Sequence, residues 1–217
     1  MVDDYNETLI QLLESKGKGV IGIAGSKHGG KTTVLLDLVD TARKILKRQC
    51  YVKFYHGDYQ EIFSDLPIVE NVQQLEKIKD AIIFVDEFNE LFDLTDRKKV
   101  TLIKRNIAQI EHNNCLLVLC GLPEYFNQLI SGYVGDDWLI KAVNYDEIVN
   151  GSALKKYVMS LNGDYVGGTR LNIPVDKVYW KGRFYHVRYK HEWDKKATRV
   201  DLFERKEEFS DKNEKRV

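Results

Sequence analysis

Residues Gly25–Thr32 read Gly-Ser-Lys-His-Gly-Gly-Lys-Thr, which matches the pattern G-x-x-x-x-G-K-[ST] at every fixed position. An apolar run, Gly19–Ala24 (GVIGIA), comes directly before them, and a segment with helical periodicity runs from Lys31 to about Arg48. A strand, a glycine-rich turn and a helix in this order are typical of a loop that binds phosphate groups. This stretch therefore predicts an α/β fold with a mainly parallel sheet between two layers of helices.

The residue types of this loop follow from the chemistry of phosphate binding. Glycines allow positive φ and bring main-chain N–H groups onto phosphate oxygens, and the following helix adds the positive end of its dipole. Lys31 is expected to reach the β- and γ-phosphates, Thr32 to offer its hydroxyl to Mg²⁺, and His28 to face solvent. The candidate nucleotide-binding residues are Gly25, Ser26, Lys27, His28, Gly29, Gly30, Lys31, Thr32 and Thr33.

A second signal is the apolar run Ala81–Val85 (AIIFV), which ends in Asp86 and Glu87. In an open parallel sheet, ligands lie at the carboxyl ends of the strands, so both acids are expected to face the loop. Asp86 is expected to share a Mg²⁺ ion with Thr32, and Glu87 to orient or deprotonate the water that attacks the γ-phosphate. Together with Lys31, these residues predict a Mg²⁺-dependent enzyme that hydrolyses a nucleoside triphosphate.

These two motifs resemble those of the P-loop NTPases that carry an additional catalytic glutamate. The chain is most similar in length and layout to the FtsK/HerA-type motor ATPases, among them the small viral genome-packaging ATPases, over about residues 19–145. The resemblance implies the strand order 5-1-4-3-2, with Cys115–Cys120 (CLLVLC) as the middle strand. That group commonly ends this strand with a polar residue, often Gln, where this chain has Cys120-Gly121, and often places Arg-His before it, where this chain has Glu111-His112.

The resemblance also implies partners. It points to a homo-oligomeric ring that couples ATP hydrolysis to the movement of nucleic acid, most of all double-stranded DNA during genome packaging. Arg105 points away from the apolar stripe of its helix and is the candidate arginine finger for a neighbouring subunit, with Arg97 as the second candidate. The alternative for Arg105 is an ordinary solvated side chain.

Two other functions remain open from the sequence. One is an NTP-dependent switch or loader of the initiator or clamp-loader type, in which hydrolysis times an assembly step. The other is a non-enzymatic nucleic-acid-binding subunit with a vestigial loop. A small-molecule kinase fits less well, because such kinases usually lack a glutamate next to the strand-end aspartate and carry a lid rich in arginine.

Composition excludes several classes of protein. The chain has 217 residues with 43% hydrophobic and 30% charged residues, unlike a disordered chain or a membrane protein. Lys plus Arg and Asp plus Glu each number 33, which excludes a uniformly basic nucleic-acid binder but allows a local basic patch. The first residues do not have the pattern of a secretory signal, and no apolar run approaches the roughly 20 residues of a membrane helix. Three cysteines without CxxC spacing fit the cytosol, that of the host if the chain is viral.

The C-terminal part has a different pattern. Residues 178–190 (VYWKGRFYHVRYK) alternate around Lys181-Gly182 and predict a β-hairpin with a tight turn. We assign residues 1–165 to a P-loop core and residues 166–217 to a small β-rich extension with a charged tail, packed on the core. Basic and aromatic residues interleave here, and the candidates for nucleic-acid binding are Lys181, Arg183, Arg188 and Lys190. The alternative is an ordinary hairpin with its rings on the core and its cations in water.

The remaining elements follow from periodicity and turn residues. Helices are expected over residues 6–16, 69–79, 97–112 and 152–161, the last capped by Ser152, and another beginning at Pro123. Strands are expected over residues 50–55 and 138–143.

Overall fold

The computed structural model describes residues 7–46, 48–92, 97–160, 170–171, 173–174, 176–181 and 183–188. In these residues the helices are α1 (Glu7–Lys16), α2 (Lys31–Ile45), α3 (Gly57–Ile62), α4 (Arg97–His112), α5 (Gln128–Val134) and α6 (Ala153–Ser160). The strands are β1 (Gly19–Ala24), β2 (Gln49–Lys53), β3 (Ala81–Val85), β4 (Leu116–Gly121), β5 (Trp138–Ile140), β6 (Val143–Asn144), β7 (Arg170–Leu171), β8 (Lys177–Trp180) and β9 (Arg183–His186). Lys190 of the predicted nucleic-acid-binding set lies outside the described residues.

A seven-stranded sheet in the order β2-β3-β4-β1-β5-β8-β9 organises the described part of the chain. β1 pairs in parallel with β4 on one side and β5 on the other, and β3 and β2 continue the parallel part. The expected order 5-1-4-3-2 is confirmed. The β8–β9 hairpin, also expected, continues the sheet beyond β5 in antiparallel orientation, with Ile140 opposite Tyr179. The division of the chain at residue 165 stays a prediction.

Helices cover both faces of this sheet because its strands are apolar on both faces. Successive side chains of a strand point to opposite faces, so β1 contributes to two hydrophobic clusters. Ile21 and Ile23 pack with side chains of α1 and α2, whereas Val20 and Ala24 belong to the cluster that includes α4, α5 and α6. The expected three-layer α/β/α arrangement is therefore confirmed. Each helix in the described residues is too short or too polar to cross a membrane.

The prediction of a helix over residues 69–79 is wrong. The segment contains a single 3₁₀ turn, Val72–Glu76. Asn71 caps this turn, because its side chain accepts a hydrogen bond from the Gln74 N–H. Ile68 instead forms an isolated parallel bridge with Val52 of β2, and the Val69 N–H donates to the Val52 carbonyl at 2.9 Å. Pairing with an existing strand has overridden the helical periodicity of this stretch. The short helix α3 was not foreseen.

Two predictions after β4 need smaller corrections. Pro123 begins a 3₁₀ turn, and α5 starts only at Gln128, where the Asn127 side chain caps the helix. The expected strand 138–143 ends at Ile140, because the next two residues turn toward the loop that follows β1: the Ser26 N–H donates to the Ala142 carbonyl at 2.7 Å. The helices over 97–112 and 152–161 are confirmed, and the Ser152 hydroxyl accepts from the Lys155 N–H.

Candidate nucleotide site

The loop of residues 25–30 connects β1 to α2 at the carboxyl edge of the parallel strands. It is tight, since the Gly29 N–H donates to the Ser26 carbonyl at 3.0 Å and a Cβ on Gly29 would come within 2.9 Å of that oxygen. Gly30 has φ +83° and precedes α2 directly, a conformation that glycine adopts without strain. The loop thus brings main-chain N–H groups to the start of α2, where the helix dipole favours an anion.

Lys31 lies inside this loop. Its residue is only 6% exposed, and its ammonium donates to the Ser26 carbonyl at 3.3 Å. Its positive charge also reaches the acid pair, since it lowers the pKa of both Asp86 and Glu87 against the effect of burial. Lys27 and His28 are exposed, as expected for His28. Lys31, the first residue of α2, therefore places a cation that contacts the loop and acts on both acids.

Thr32 and Asp86 form the candidate magnesium site. The Thr32 hydroxyl donates to Oδ1 of Asp86 at 3.4 Å, while Oδ2 of this carboxylate is buried without a hydrogen-bond partner in the described residues. Burial raises the pKa of Asp86, and the neighbouring Cys120 thiol and Lys31 ammonium lower it. A buried carboxylate oxygen beside a hydroxyl fits Mg²⁺, which prefers hard oxygen ligands.

Glu87 directly follows Asp86 and has a left-handed backbone conformation, with φ +43°. Such a conformation costs a non-glycine residue about 1 kcal/mol or more and is found where surrounding structure imposes it. Here the next residue, Phe88, is fully buried, and a Cβ on Gly121 at the end of β4 would lie 2.8 Å from its ring. The anchored ring holds Glu87 at the carboxyl edge, half-buried. Burial is the main cause that raises the pKa of its carboxyl, which makes it a stronger proton acceptor.

The structure also brings together residues that sequence reasoning missed. The Ser26 hydroxyl donates to Oε2 of Glu147 at 2.5 Å and accepts from the Asn144 N–H at 3.3 Å. The Asn144 side-chain amide donates to Oε1 of Glu147. Both residues lie on the β5 side of the loop, opposite the acid pair. No motif marks them, and the available signal was their position just after a strand expected to pair with β1.

Arg105 is exposed in the middle of α4. Its guanidinium lies 2.8 Å from Oε1 of Glu76 and donates to Oε2 at 3.0 Å. Arg97 is the first residue of α4, and its side chain lies outside the described atoms. The role of either arginine as a finger stays a prediction.

Arg188 of the candidate nucleic-acid-binding set contacts α2, and its role in nucleic-acid binding stays a prediction. Its Nε and Nη2 both donate to Oδ1 of Asp37, at 2.9 and 2.7 Å, and its main-chain N–H donates to Oδ2. Nη2 also donates to the Thr41 hydroxyl at 2.6 Å. Burial raises the pKa of Asp37, and these hydrogen bonds lower it. The guanidinium therefore joins the C-terminal segment to α2 inside the protein.

The tip of the hairpin lies at the amino ends of the parallel strands, whereas the phosphate loop lies at their carboxyl ends. Lys181 places its ammonium 3.1 Å from Oδ1 of Asp137, which directly precedes β5, and Arg183 is exposed beside it. Trp180 and Tyr185 pack against the cluster of α1 and α2, whereas the Phe184 ring is 45% exposed. The hairpin thus has most of its rings on the core and two cations at its tip.

Comparison with known proteins shows the fold. The genome packaging NTPase B204 from Sulfolobus turreted icosahedral virus 2, solved with sulfate, has a TM-score of 0.52 and 12% identity, covering 79% of this chain and 92% of that one. EccC (ATPases 2 and 3) from Thermomonospora curvata, solved with a signal sequence peptide, has a TM-score of 0.50 and 10% identity, covering 80% of this chain and 37% of that one. No protein-family model and no curated protein matches the sequence.

A third structure, the conjugation coupling protein TcpA of pCW3 with ATPγS, has a TM-score of 0.47 and 14% identity, covering 79% of this chain and 58% of that one. This score is too low to support a conclusion about the fold. The similarity to B204 and EccC shows the fold alone: the expected α/β fold of the P-loop NTPases is confirmed.

Proposed function

We propose that this chain, which has the P-loop NTPase fold, hydrolyses ATP with Mg²⁺ and couples hydrolysis to the movement of double-stranded DNA in a homo-oligomeric packaging ring. The observation that carries the catalytic part is the convergence of Lys31, Thr32, Asp86 and Glu87 at one sheet edge. Thr32 and Asp86 are in contact although 54 residues separate them, and the charge of Lys31 reaches both acids.

Each group has a separate task in the proposed reaction. The N–H groups of the loop and of the first turn of α2 hold the phosphates, and Lys31 neutralises charge on the β- and γ-phosphates. Thr32 and Asp86 would hold Mg²⁺, which would offset the negative charge of the phosphates. Glu87 accepts the proton of the attacking water, a task that its raised pKa favours.

The coupling to DNA is supported by different observations. The fold is similar to that of a protein described as a genome packaging NTPase. Lys181 and Arg183 are exposed at the hairpin tip. DNA would therefore bind at the amino ends of the parallel strands, and ATP at their carboxyl ends. Cations at such a tip hold phosphates without reading sequence. The free thiols of the three cysteines support a cytoplasmic location, in the host if the chain is viral.

The test measures phosphate release by the full chain, with and without double-stranded DNA. We expect Glu87→Gln to bind ATP within about threefold of wild type while turnover falls about 100-fold or more, because only the proton acceptor is lost. Glu70→Gln is the matched control, an exposed carboxylate that is not among the charges acting on the pKa of Glu87. Lys31→Ala is expected to weaken both ATP binding and turnover. Lys79→Ala, which removes an exposed lysine, is expected to weaken neither.

Wild-type turnover in Glu87→Gln would refute its role. Absence of hydrolysis with and without DNA would favour the non-enzymatic nucleic-acid-binding subunit. Hydrolysis without processive displacement of a triplex-forming strand would favour the switch or loader over a motor.

A further inference from the structure

Three polar side chains contact one another on the side of the phosphate loop that faces β5. They are Ser26, Asn144 and Glu147, joined by the Ser26–Glu147 hydrogen bond of 2.5 Å and by the amide of Asn144 on the other carboxylate oxygen. The proposed reaction uses neither Asn144 nor Glu147. A carboxylate held against a loop that binds anions needs an explanation, since it repels a phosphate placed beside it.

The strand order indicates which part of a nucleotide comes to this side. β3, which ends at the acid pair, lies two strands from β1 on one side, and β5 lies next to β1 on the other. In the proposed function the γ-phosphate faces Glu87, so the rest of the nucleotide extends toward β5. The first group beyond the phosphates is the ribose. Glu147 contacts Ser26 on this side of the phosphate loop, where the sugar would lie.

The chemistry of the carboxylate agrees with this placement. An ionised carboxylate only accepts hydrogen bonds, and phosphates offer only acceptors. The ribose hydroxyls are donors, and an acidic residue on a ribose hydroxyl is a recurrent way to bind a nucleotide in α/β sheets. The Asn144 amide fixes the orientation of Glu147 by donating to Oε1.

We propose that Glu147 accepts hydrogen bonds from the ribose diol and makes the site select ribonucleotides, with Asn144 as its positioning residue. This inference rests on the proposed function, because the γ-phosphate must face Glu87. It goes beyond that function by naming the group that distinguishes one nucleotide from another.

The test measures binding rather than turnover. Calorimetry gives the dissociation constants of ADP, 2′,3′-dideoxy-ADP and pyrophosphate for wild type, Glu147→Ala and Glu147→Gln. Wild type is expected to prefer ADP over the dideoxy compound by about 10-fold, the effect of one hydrogen bond to a charged group. Glu147→Ala is expected to remove this preference by weakening ADP relative to the dideoxy compound, without weakening pyrophosphate, because the variant loses a negative charge beside the phosphate loop. Asp146→Ala, which removes an exposed neighbouring acid, is the matched control.

Each outcome distinguishes this inference from the function on which it rests. Equal weakening of all three ligands in Glu147→Ala would show that the residue only shapes the loop, and equal wild-type affinity for ADP and the dideoxy compound would also overturn the proposal. If wild type binds neither ADP nor pyrophosphate, the proposed function itself fails. Should Glu147→Ala not fold, Glu147→Gln keeps the shape and one acceptor oxygen but loses the charge, so it is expected to reduce the preference for ADP rather than remove it.

Discussion

The hydroxyl of Thr32 lies 3.4 Å from Oδ1 of Asp86, so the first turn of α2 and the end of β3 share one polar contact across the sheet edge. The second carboxylate oxygen is buried and lacks a hydrogen-bond partner in the described residues. An unpaired buried oxygen is costly unless a ligand uses it. This pair therefore joins the two sequence motifs into one site and leaves an acceptor for a cation.

The first prediction concerns the metal. Thr32→Val keeps the shape of the side chain and loses the hydroxyl, so the Mg²⁺ concentration needed for half-maximal hydrolysis is expected to rise about 10-fold or more. Thr32→Ser keeps the hydroxyl and is the matched control, expected within about threefold of wild type. A Mg²⁺ titration of phosphate release measures both, and equal curves for the two variants would remove Thr32 from the metal site.

The second prediction separates Arg188 from Arg183. Arg188→Met leaves the fully buried Asp37 carboxylate without its cation, which is expected to lower the free energy of unfolding by about 3–5 kcal/mol. Arg183→Ala removes an exposed cation and is expected to weaken DNA binding with little change in stability. Urea unfolding and DNA titrations at fixed salt measure the two effects. A stable Arg188→Met protein with weakened DNA binding would contradict this expectation and support the assignment of Arg188 to nucleic-acid binding.

The Arg188 result shows where sequence reasoning stops. The glycine-rich loop is a local pattern, and so is the apolar run that ends in two acids. Each pattern correctly predicted a strand and the position of its polar residues at the carboxyl end of that strand. Arg188 looked like part of a basic ribbon because its partner Asp37 lies 151 residues away. Charge alone does not show which cation is neutralised inside the fold.

The same limit explains the other differences. Glu147 meets Ser26 across 121 residues, and only the pairing of β1 with β5 brings them together. The segment after Pro67 has helical periodicity, yet Ile68 pairs with Val52 because β2 is the outermost strand of the sheet. Contacts between residues far apart in the sequence therefore explain both why Glu147 was not predicted as a site residue and why the helix predicted over residues 69–79 did not form.

The third prediction concerns Lys141, whose residue is fully buried and whose ammonium donates to the Pro174 carbonyl at 2.9 Å and to the Lys177 carbonyl. Burial lowers its pKa to about 8, from the ordinary 10.5. Between these two values the unfolded state binds more protons than the folded state, so this group makes the protein more stable as pH rises through that window. Below about 8 both states are protonated and its contribution no longer changes.

The measurement is the free energy of unfolding at pH 7.5 and at pH 10, compared between wild type and Lys141→Met. We expect wild type to gain up to about 2–3 kcal/mol relative to the variant over this range. The difference between the two proteins cancels the titration of tyrosines and other lysines. A difference that stays constant with pH would contradict the lowered pKa.

The last prediction concerns the arginine finger. The Arg105 side chain is 71% exposed, and its ion pair with Glu76 is a surface contact worth about 0–1 kcal/mol, so a phosphate of a neighbouring subunit can replace it at small cost. We expect Arg105→Ala to lower turnover about 1,000-fold with ATP affinity within about threefold, while Lys104→Ala, the exposed neighbour, leaves turnover unchanged.

A mixture of two inactive variants gives the decisive measurement. Arg105→Ala subunits keep an intact nucleotide site but lack the finger, and Glu87→Gln subunits keep the finger but lack the proton acceptor. In a mixed ring, an Arg105→Ala site next to a Glu87→Gln subunit receives the missing guanidinium, so phosphate release is expected to recover when the two proteins are combined. Activity that does not recover on mixing, or Arg105→Ala that turns over like wild type, would show that Arg105 acts only on Glu76, and the search for the finger would move to Arg97.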